Sequence, residues 1–125
     1  MTQILVVDDS RYSRRVIGET LRTAGYEVIE AADGERGLEL AAECHPDCVL
    51  VDLRLPGVDG QSFLRQKNRL GLDVPVIVTA ADAEPQVRHD CETLGAFDVL
   101  AKPIDPDALI ASVEQSLLFL EETFE

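Results

Sequence analysis

Blocks of apolar residues separated by polar stretches recur along this chain and predict five β-strands. The strands are short segments rich in Val, Ile and Leu, namely Ile4–Val7, Glu27–Glu30, Cys48–Val51, Val74–Val78 and Phe97–Ala101. The first, third and fourth are apolar throughout, which is typical of strands that helices cover on both faces. The pattern therefore predicts a buried parallel sheet.

A helix is predicted after each strand, because apolar residues recur there at helical spacing. They are Val16, Ile17 and Leu21; Leu38, Ala41 and Ala42; Phe63, Leu64 and Leu70; Val87, Cys91 and Leu94; and Leu109, Val113, Leu117 and Leu120. Start and stop signals agree with these helices. Asp105 before Pro106 is typical of a helix start, and glycines follow three helix ends, at Gly25, Gly71 and Gly95.

Five strand and helix pairs in 125 residues indicate one domain that spans residues 1–125. The predicted fold class is α/β, a (βα)5 three-layer doubly wound parallel sheet with the flavodoxin-like strand order 2-1-3-4-5. In that order strands 1 and 3 are neighbours, and such folds bind ligands in the crevice at their carboxyl ends.

Polar residues stand at the ends of four of these strands. Asp8 and Asp9 follow the first, Asp52 follows the third, Thr79 ends the fourth and Lys102 follows the fifth. Because the carboxyl ends of parallel strands lie along one edge of a sheet, these side chains are predicted to converge.

Three carboxylates so close together repel one another, so a cation is expected among Asp8, Asp9 and Asp52. Oxygen ligands with open positions suit Mg²⁺, which commonly joins protein carboxylates to a phosphoryl group. The alternative is that Asp8 and Asp9 only cap the following helix. Capping does not account for Asp52 or Lys102.

Lys102 and Thr79 are suited to a phosphoryl ligand. A lysine ammonium can pair with a carboxylate and then follow an oxygen of a transferred phosphoryl group; the alternative is an unpaired surface lysine. The Thr79 hydroxyl can donate to a phosphoryl oxygen, although Thr is also an ordinary strand residue. Pro103 allows a cis peptide bond after Lys102.

The chain is strongly acidic, with 24 Asp and Glu against 11 Lys and Arg and a net charge of −13. Surfaces that bind nucleic acid are basic, so direct nucleic-acid binding is not expected, and the partners should be proteins or cations. No apolar stretch reaches the roughly 18 residues of a membrane span. The N-terminus lacks the pattern of a secretion signal, so a cytoplasmic location is expected.

The three cysteines, Cys44, Cys48 and Cys91, are odd in number and favour reduced thiols over disulfides. A metal site at Cys44, His45 and Cys48 is the alternative, but this spacing matches no common zinc pattern.

Four segments, in this order and at these separations, resemble those of response-regulator receiver domains of two-component signalling: VVDDSR, VDLRLPGVDG, VIVTAAD and LAKP. The similarity covers nearly the whole chain, which resembles the single-domain regulators of chemotaxis. It implies a phosphorylation-dependent switch in a two-component phosphorelay that changes its interactions with a downstream protein target. Such a switch catalyses only its own phosphorylation and dephosphorylation.

The resemblance also implies roles for the residues at the strand ends. Asp52 would accept a phosphoryl group from a phosphohistidine of a histidine kinase or histidine phosphotransfer protein, and Lys102 and Thr79 would hold the phosphoryl oxygens. This chemistry needs in-line positioning and charge neutralisation more than acid–base groups.

By the same resemblance, Mg²⁺ would be bound directly by Asp9, Asp52 and the backbone carbonyl of Arg54. Asp8 would act on the ion mainly through water.

Three positions bear on how this chain would differ from other receivers. Val99 stands where these domains often have Tyr or Phe, so a large aromatic swing is not available, and the loop after Thr79 and the fourth helix are expected to transmit the signal. The alternative is that the domain passes phosphoryl groups onward without a strong change of shape. Arg54 lies two residues after Asp52 and Ala81 two after Thr79. Both are expected to slow self-dephosphorylation.

Two surfaces are candidates for partner contacts. By analogy with the family, Arg11, Arg14 and Arg15 on the first helix form part of a kinase-docking surface; the alternative is an ordinary solvated face. Leu118 and the two C-terminal phenylalanines provide more apolar surface than one helix face buries, which predicts a partner contact or a homodimer there. The alternative is that this helix simply packs on the core.

Two other functions remain open from the residues. A phosphorylation-independent receiver-like interaction module would keep the fold, but it does not require the acidic cluster and Lys102. A Mg²⁺-dependent aspartyl-phosphate hydrolase usually needs a second Asp two residues after its nucleophile. That position is Arg54 if the nucleophile is Asp52, and Ser10 if it is Asp8.

Overall fold

Five parallel strands form one sheet in the order β2-β1-β3-β4-β5, and the connections are helical. The structure, a computed structural model, describes the backbone of residues 1–124 and the side chains of residues 1–118. Its elements are β1 Gln3–Val7, α1 Arg11–Thr23, β2 Glu27–Ala31, α2 Gly34–Cys44, β3 Cys48–Asp52, α3 Gly60–Arg69, β4 Val76–Ala80, α4 Pro85–Thr93, β5 Asp98–Ala101 and α5 Pro106–Phe124. The predicted (βα)5 fold and strand order are confirmed.

The strands supply side chains to two cores, one on each face of the sheet. On one face, α2, α3 and α4 cover a core that includes Leu5, Val7, Val49, Val51, Val76, Val78, Leu38, Phe63, Leu64 and Cys91. On the other face, α1 and α5 cover a core that includes Ile4, Val6, Leu50, Ile77, Ile17, Leu21, Leu109 and Val113. Burial on both faces explains why these strands are apolar throughout.

The boundaries of β4 differ from the prediction at both ends. The predicted strand began at Val74, but Pro75 has no N–H to donate to a neighbouring strand, and regular pairing begins at Val76. The strand continues to Ala80, so Thr79 lies within the last pairs of the ladder, directly opposite Asp52 of β3.

Some apolar residues of the helical patterns face solvent. Val16 of α1 is 43% exposed, and Leu70, at the C-cap of α3, is 59% exposed. Leu118 of α5 is 57% exposed. Phe119, Leu120 and Phe124, on which the fifth helical pattern and the homodimer prediction also rely, lie outside the described side chains.

Each turn that leads from a helix back to the next strand contains a residue with positive φ. Gly25, Gly71 and Gly95 have φ angles of 96°, 69° and 99°, and His45 has 50°. Glycine adopts this left-handed backbone without strain, so the predicted stop signals are explained. At the start of α5, the Asp105 carboxylate accepts a hydrogen bond from the Ala108 N–H at 3.0 Å, as the sequence predicted.

Among the described residues, no helix combines the length and the apolar character that crossing a bilayer requires.

Candidate functional site

Three carboxylates meet at the carboxyl edge of the sheet. Asp8 follows β1, and its backbone N–H donates to the Ala31 carbonyl of β2 at 3.1 Å, so the turn stays attached to the sheet. Asp52 is the last residue of β3. One carboxylate oxygen from each of Asp8, Asp9 and Asp52 lies within 4.8 Å of the others.

Lys102 joins two of these acids. Its Nζ donates to Asp8 Oδ2 at 2.9 Å and to Asp52 Oδ2 at 2.8 Å. Burial lowers the pKa of Lys102, but the hydrogen bonds that it donates to Asp52 and Asp8 outweigh this effect and leave the pKa above its ordinary value. The ammonium is therefore a fixed positive charge at neutral pH. The Lys102–Pro103 peptide bond is cis.

The acidic cluster has a donor set that suits a hard divalent cation. The Asp8 carboxylate is buried and also accepts from the Ser10 N–H at 2.8 Å, whereas Asp9 is exposed. Within the described part of the chain, the Asp9 carboxylate makes no hydrogen bond or ion pair. Three carboxylates against one ammonium leave an excess of negative charge, and an open carboxylate on the solvent side can take up Mg²⁺.

Thr79 lies beside the predicted phosphoryl acceptor. It is buried, it pairs with Asp52 across β3 and β4, and its carbonyl accepts from the Leu53 N–H at 2.8 Å. Ala81, two residues further on, is exposed.

The loop after Asp52 is shaped by close backbone packing. The Arg54 N–H donates to Asp52 Oδ1 at 3.2 Å, while the Arg54 side chain faces solvent. A Cβ at Gly60 would lie 2.8 Å from Leu53 Cα and 3.0 Å from the Asp52 carbonyl oxygen. Glycine therefore lets α3 begin directly against the end of β3.

Sequence reasoning placed Arg14 among three surface arginines, but the structure turns it inward. Its Nη1 donates to the Asp8 carbonyl oxygen at 2.6 Å, and its Nε pairs with Glu30 Oε1 of β2 at 3.3 Å. Arg15, in contrast, is exposed and pairs with Glu19. The helical spacing carried the signal, because Arg14 lies three and seven residues before the buried Ile17 and Leu21.

The cysteines do not form a second site. Among the described residues, the one group of three or more potential metal ligands is Asp8, Asp9 and Asp52, so the alternative metal site at Cys44, His45 and Cys48 is not formed. Cys44, Cys48 and Cys91 are free thiols. Burial raises the pKa of Cys48 to about 12, so this thiol stays neutral and unreactive at ordinary pH.

Comparison with known proteins identifies the relatives of this chain. The family profile described as response regulator receiver domain matches residues 4–114. Sporulation initiation phosphotransferase F of Bacillus subtilis is 32% identical over 115 residues, which cover 92% of this chain and 93% of that protein. Regulatory protein AtoC of Escherichia coli is 36% identical over 117 residues, which cover 94% of this chain but 25% of AtoC.

Solved structures give the same assignment. The structure of the Vibrio cholerae chemotaxis protein CheY4 aligns with a TM-score of 0.87 at 29% identity, over 94% of this chain and 99% of CheY4. The chain spans between a quarter and about half of the length of several curated regulators that it matches.

This chain has a doubly wound sheet with three carboxylates and a lysine at its switch point. It therefore falls in the class of α/β domains that have an acidic site at the carboxyl edge of the sheet. The chain belongs to the response-regulator receiver family of two-component signalling.

Proposed function

We propose that Asp52 accepts a phosphoryl group from a phosphohistidine and that the whole chain, residues 1–125, acts as a receiver switch. The observation that carries this proposal is the ion pair of Asp52 with Lys102 at 2.8 Å, beside Asp8 and the Asp9 carboxylate, which has no hydrogen bond or ion pair among the described residues. An Asp52 oxygen attacks phosphorus and the P–N bond breaks. The imidazole leaves with the bonding electron pair, and Asp52 becomes an acyl phosphate.

Asp9, Asp52 and the Arg54 carbonyl are the residues that would hold Mg²⁺, with Asp8 acting mainly through water. The bound ion would neutralise charge on the carboxylates and on the phosphoryl oxygens. The fit rests on the donor set, since Lys102 pairs with two of the three acids and Asp9 has no hydrogen bond or ion pair among the described residues.

Lys102 and Thr79 are the proposed phosphoryl ligands of the protein. Lys102 already contacts the acceptor carboxylate, so its flexible side chain can follow the new oxygens. Thr79 lies directly across the β3–β4 ladder and can donate its hydroxyl to them. The added charge at Asp52 then draws Thr79 and the loop after it towards the site, which is the local switch.

The output of the switch is proposed to run through α4. Val99 is fully buried on β5, so a valine fills the position where the family often has an aromatic ring. Arg88 of α4 donates to the Val99 carbonyl and pairs with Asp98 at 3.0 Å, which ties α4 to β5. The exposed Arg54 side chain is proposed to slow loss of the phosphoryl group by hindering water or by contacting the group. Ala81 is proposed to slow it because it offers no polar group to orient an attacking water.

A groove beside the site suits the phosphoryl donor. A cavity of about 430 Å³ lies between α1 and the segment after β5, and Tyr12, Val16, Ile104 and Lys102 are among its lining residues. Tyr12 is 77% exposed. A helix of a histidine kinase or phosphotransfer protein seated there reaches Lys102, which contacts the acceptor Asp52.

The chain is also proposed to act in the cytoplasm and to have no further catalytic activity. Its chemistry is limited to its own phosphorylation and dephosphorylation, because Arg54 occupies the position of the second catalytic Asp of the hydrolases. Free thiols at all three cysteines support a reducing, cytoplasmic location.

Intact-mass spectrometry after incubation with acetyl phosphate tests the acceptor proposal. We expect one Mg²⁺-dependent phosphoryl adduct on the wild type and on Asp73→Asn, whose exposed residue lies away from the site, and no adduct on Asp52→Asn. Circular dichroism verifies that each variant folds. A folded wild type that gains no phosphoryl mass from acetyl phosphate or from phosphorylated histidine kinases would overturn the proposal and favour the interaction module.

The docking proposal has a separate test. Val16→Asp is expected to slow phosphoryl transfer from any autophosphorylated histidine kinase that modifies the wild type, because it places a charge in the apolar groove. Transfer from acetyl phosphate, which needs no docking, should stay unchanged. Equal kinase rates in the two proteins would exclude this groove as the donor surface.

A further inference from the structure

Asp8 is held by hydrogen bonds at its backbone as well as at its side chain. Its N–H donates to the Ala31 carbonyl at 3.1 Å, and its own carbonyl accepts from Arg14 Nη1 at 2.6 Å. Its carboxylate oxygens accept from the Ser10 N–H and from Lys102. Of these contacts, the one made by Arg14 reaches the peptide group that leads into Asp9.

That peptide group determines where the Asp9 side chain points. The Asp8 carbonyl and the Asp9 nitrogen belong to one planar unit, so fixing the carbonyl fixes the plane on which the Asp9 Cα is mounted. The Asp9 carboxylate makes no hydrogen bond or ion pair within the described residues. The position of this carboxylate therefore depends on the backbone on either side of it.

Arg14 is in turn anchored by β2. Its Nε pairs with Glu30 Oε1 at 3.3 Å, and its side chain is only 16% exposed. A guanidinium carries its N–H groups in a rigid planar fork, so Nε can stay on Glu30 while Nη1 holds the Asp8 carbonyl. Glu30 also pairs with Arg22 at 3.4 Å, but no contact joins Arg22 to the acidic turn in the described structure.

We infer that Arg14 is a positioning residue for the metal site: through the Asp8 carbonyl it orients the turn that presents Asp9 to the cation. The inference rests on the proposed function. It assigns to Arg14 a role inside the molecule, in place of the surface role that the sequence suggested.

The charge of Arg14 and its positioning of the acidic turn predict opposite changes in Mg²⁺ affinity when Arg14 is lost. Removing a positive charge near three carboxylates should strengthen cation binding through electrostatics alone. Removing the hydrogen bond from Arg14 to the Asp8 carbonyl, which braces the acidic turn, should weaken Mg²⁺ binding. Loss of a hydrogen bond that supports a metal ligand typically costs 10–100-fold in metal affinity. A weaker Mg²⁺ affinity in Arg14→Gln therefore cannot be an effect of charge.

Arg22→Gln is the matched control. It removes the same charge from the same helix and breaks the other ion pair of Glu30, but leaves the Asp8 carbonyl braced. We expect calorimetric titration with MgCl₂ to show a dissociation constant about tenfold higher for Arg14→Gln and near the wild-type value for Arg22→Gln. Arg14→Lys, which lacks the fork, should resemble Arg14→Gln.

A second readout separates positioning from general stability. The amount of Mg²⁺ that half-saturates phosphorylation by acetyl phosphate should rise in Arg14→Gln, while the rate at saturating Mg²⁺ recovers most of the wild-type value. Thermal unfolding without Mg²⁺ shows whether the variants fold. If Arg14→Gln does not fold, Arg14→Lys keeps the charge but loses the planar fork, and it should raise the same two quantities.

Equal Mg²⁺ affinity in Arg14→Gln and Arg22→Gln would overturn the inference, as would tighter binding in Arg14→Gln. A wild type that binds no Mg²⁺ and gains no phosphoryl group would instead overturn the proposed function. The two failures are thus distinguishable.

Discussion

At the scale of single residues, Lys102 is the internal counter-ion of the acidic cluster. Its ammonium lies between Asp8 and Asp52, both of which are buried. Without Lys102, the buried carboxylates of Asp8 and Asp52 would lie close to each other and to the Asp9 carboxylate, with no positive charge among the three. Lys102 therefore contributes to stability as well as to the proposed phosphoryl chemistry.

Lys102→Met is expected to lower the free energy of unfolding by about 1–3 kcal/mol in the absence of Mg²⁺, because two buried carboxylates lose a charged partner. Lys67→Met is the control, since Lys67 makes no ion pair within the described residues and is the only other lysine. Urea unfolding measures both variants. If Lys102→Met is as stable as Lys67→Met, Lys102 is not the counter-ion.

The pH dependence of this difference has a definite sign. Because the folded state raises the pKa of Lys102 above its ordinary 10.5, the stabilisation is fully present below pH 10.5 and is lost as pH rises through the folded pKa. The gap between wild type and Lys102→Met should therefore stay constant through neutral pH and close in strongly alkaline solution.

At the scale of elements, close backbone contacts fix the loop that follows the acceptor. A Cβ at Gly34, the first residue of α2, would lie 2.0 Å from the Val58 carbonyl oxygen in the β3–α3 loop. Gly18, inside α1, is different, because a Cβ there would lie 3.1 Å from the tip of the flexible Arg22 side chain. The two glycines make a matched pair of substitutions.

Gly34→Ala is expected to destabilise the protein by roughly 2 kcal/mol or more, because either α2 or the β3–α3 loop must move. Gly18→Ala should be neutral or stabilising by up to about 1 kcal/mol, since alanine favours a helix. Urea unfolding compares them. A neutral Gly34→Ala would mean that the loop yields without cost.

The sequence predicts the elements and much of the site, because both depend on local pattern and on topology. The sequence alone predicts that Asp8, Asp52 and Lys102 lie close together, because parallel strands place their carboxyl ends at one edge of the sheet. The helical spacing indicates that Arg14 lies on the inward side of its helix, but its partners, Glu30 and the Asp8 carbonyl, could not be predicted, because tertiary packing determines them. The same holds for the contact of Ser112 of α5 with Asp98 at 2.8 Å.

At the scale of the whole molecule, the main electrostatic effect is the repulsion among its excess negative charges. The net charge is −13. From Leu70 to the C-terminus, the only Lys and Arg residues are Arg88 and Lys102, and both are already paired. An excess of like charge destabilises a compact state, and salt screens it.

Added NaCl is therefore expected to raise the melting temperature, and Mg²⁺ to raise it further at the same ionic strength, because binding to the folded state adds to screening. Asp9→Asn should lose the Mg²⁺-specific part and keep the response to NaCl. Thermal unfolding monitored by circular dichroism measures both. An equal Mg²⁺ response in wild type and Asp9→Asn would place the ion elsewhere.

The positive-φ turns that return each helix to the sheet have a practical consequence for protein engineering. These turns lie at the amino edge of the sheet, whereas Asp52 and Lys102 lie at the carboxyl edge. The proposed chemistry is therefore separated from these turns by the length of the strands. A fluorescent reporter inserted at the exposed Gly71 turn should leave acetyl phosphate labelling intact, whereas one inserted at Gly57, in the β3–α3 loop, should abolish it. A biosensor built on this domain would therefore carry its reporter at the amino edge.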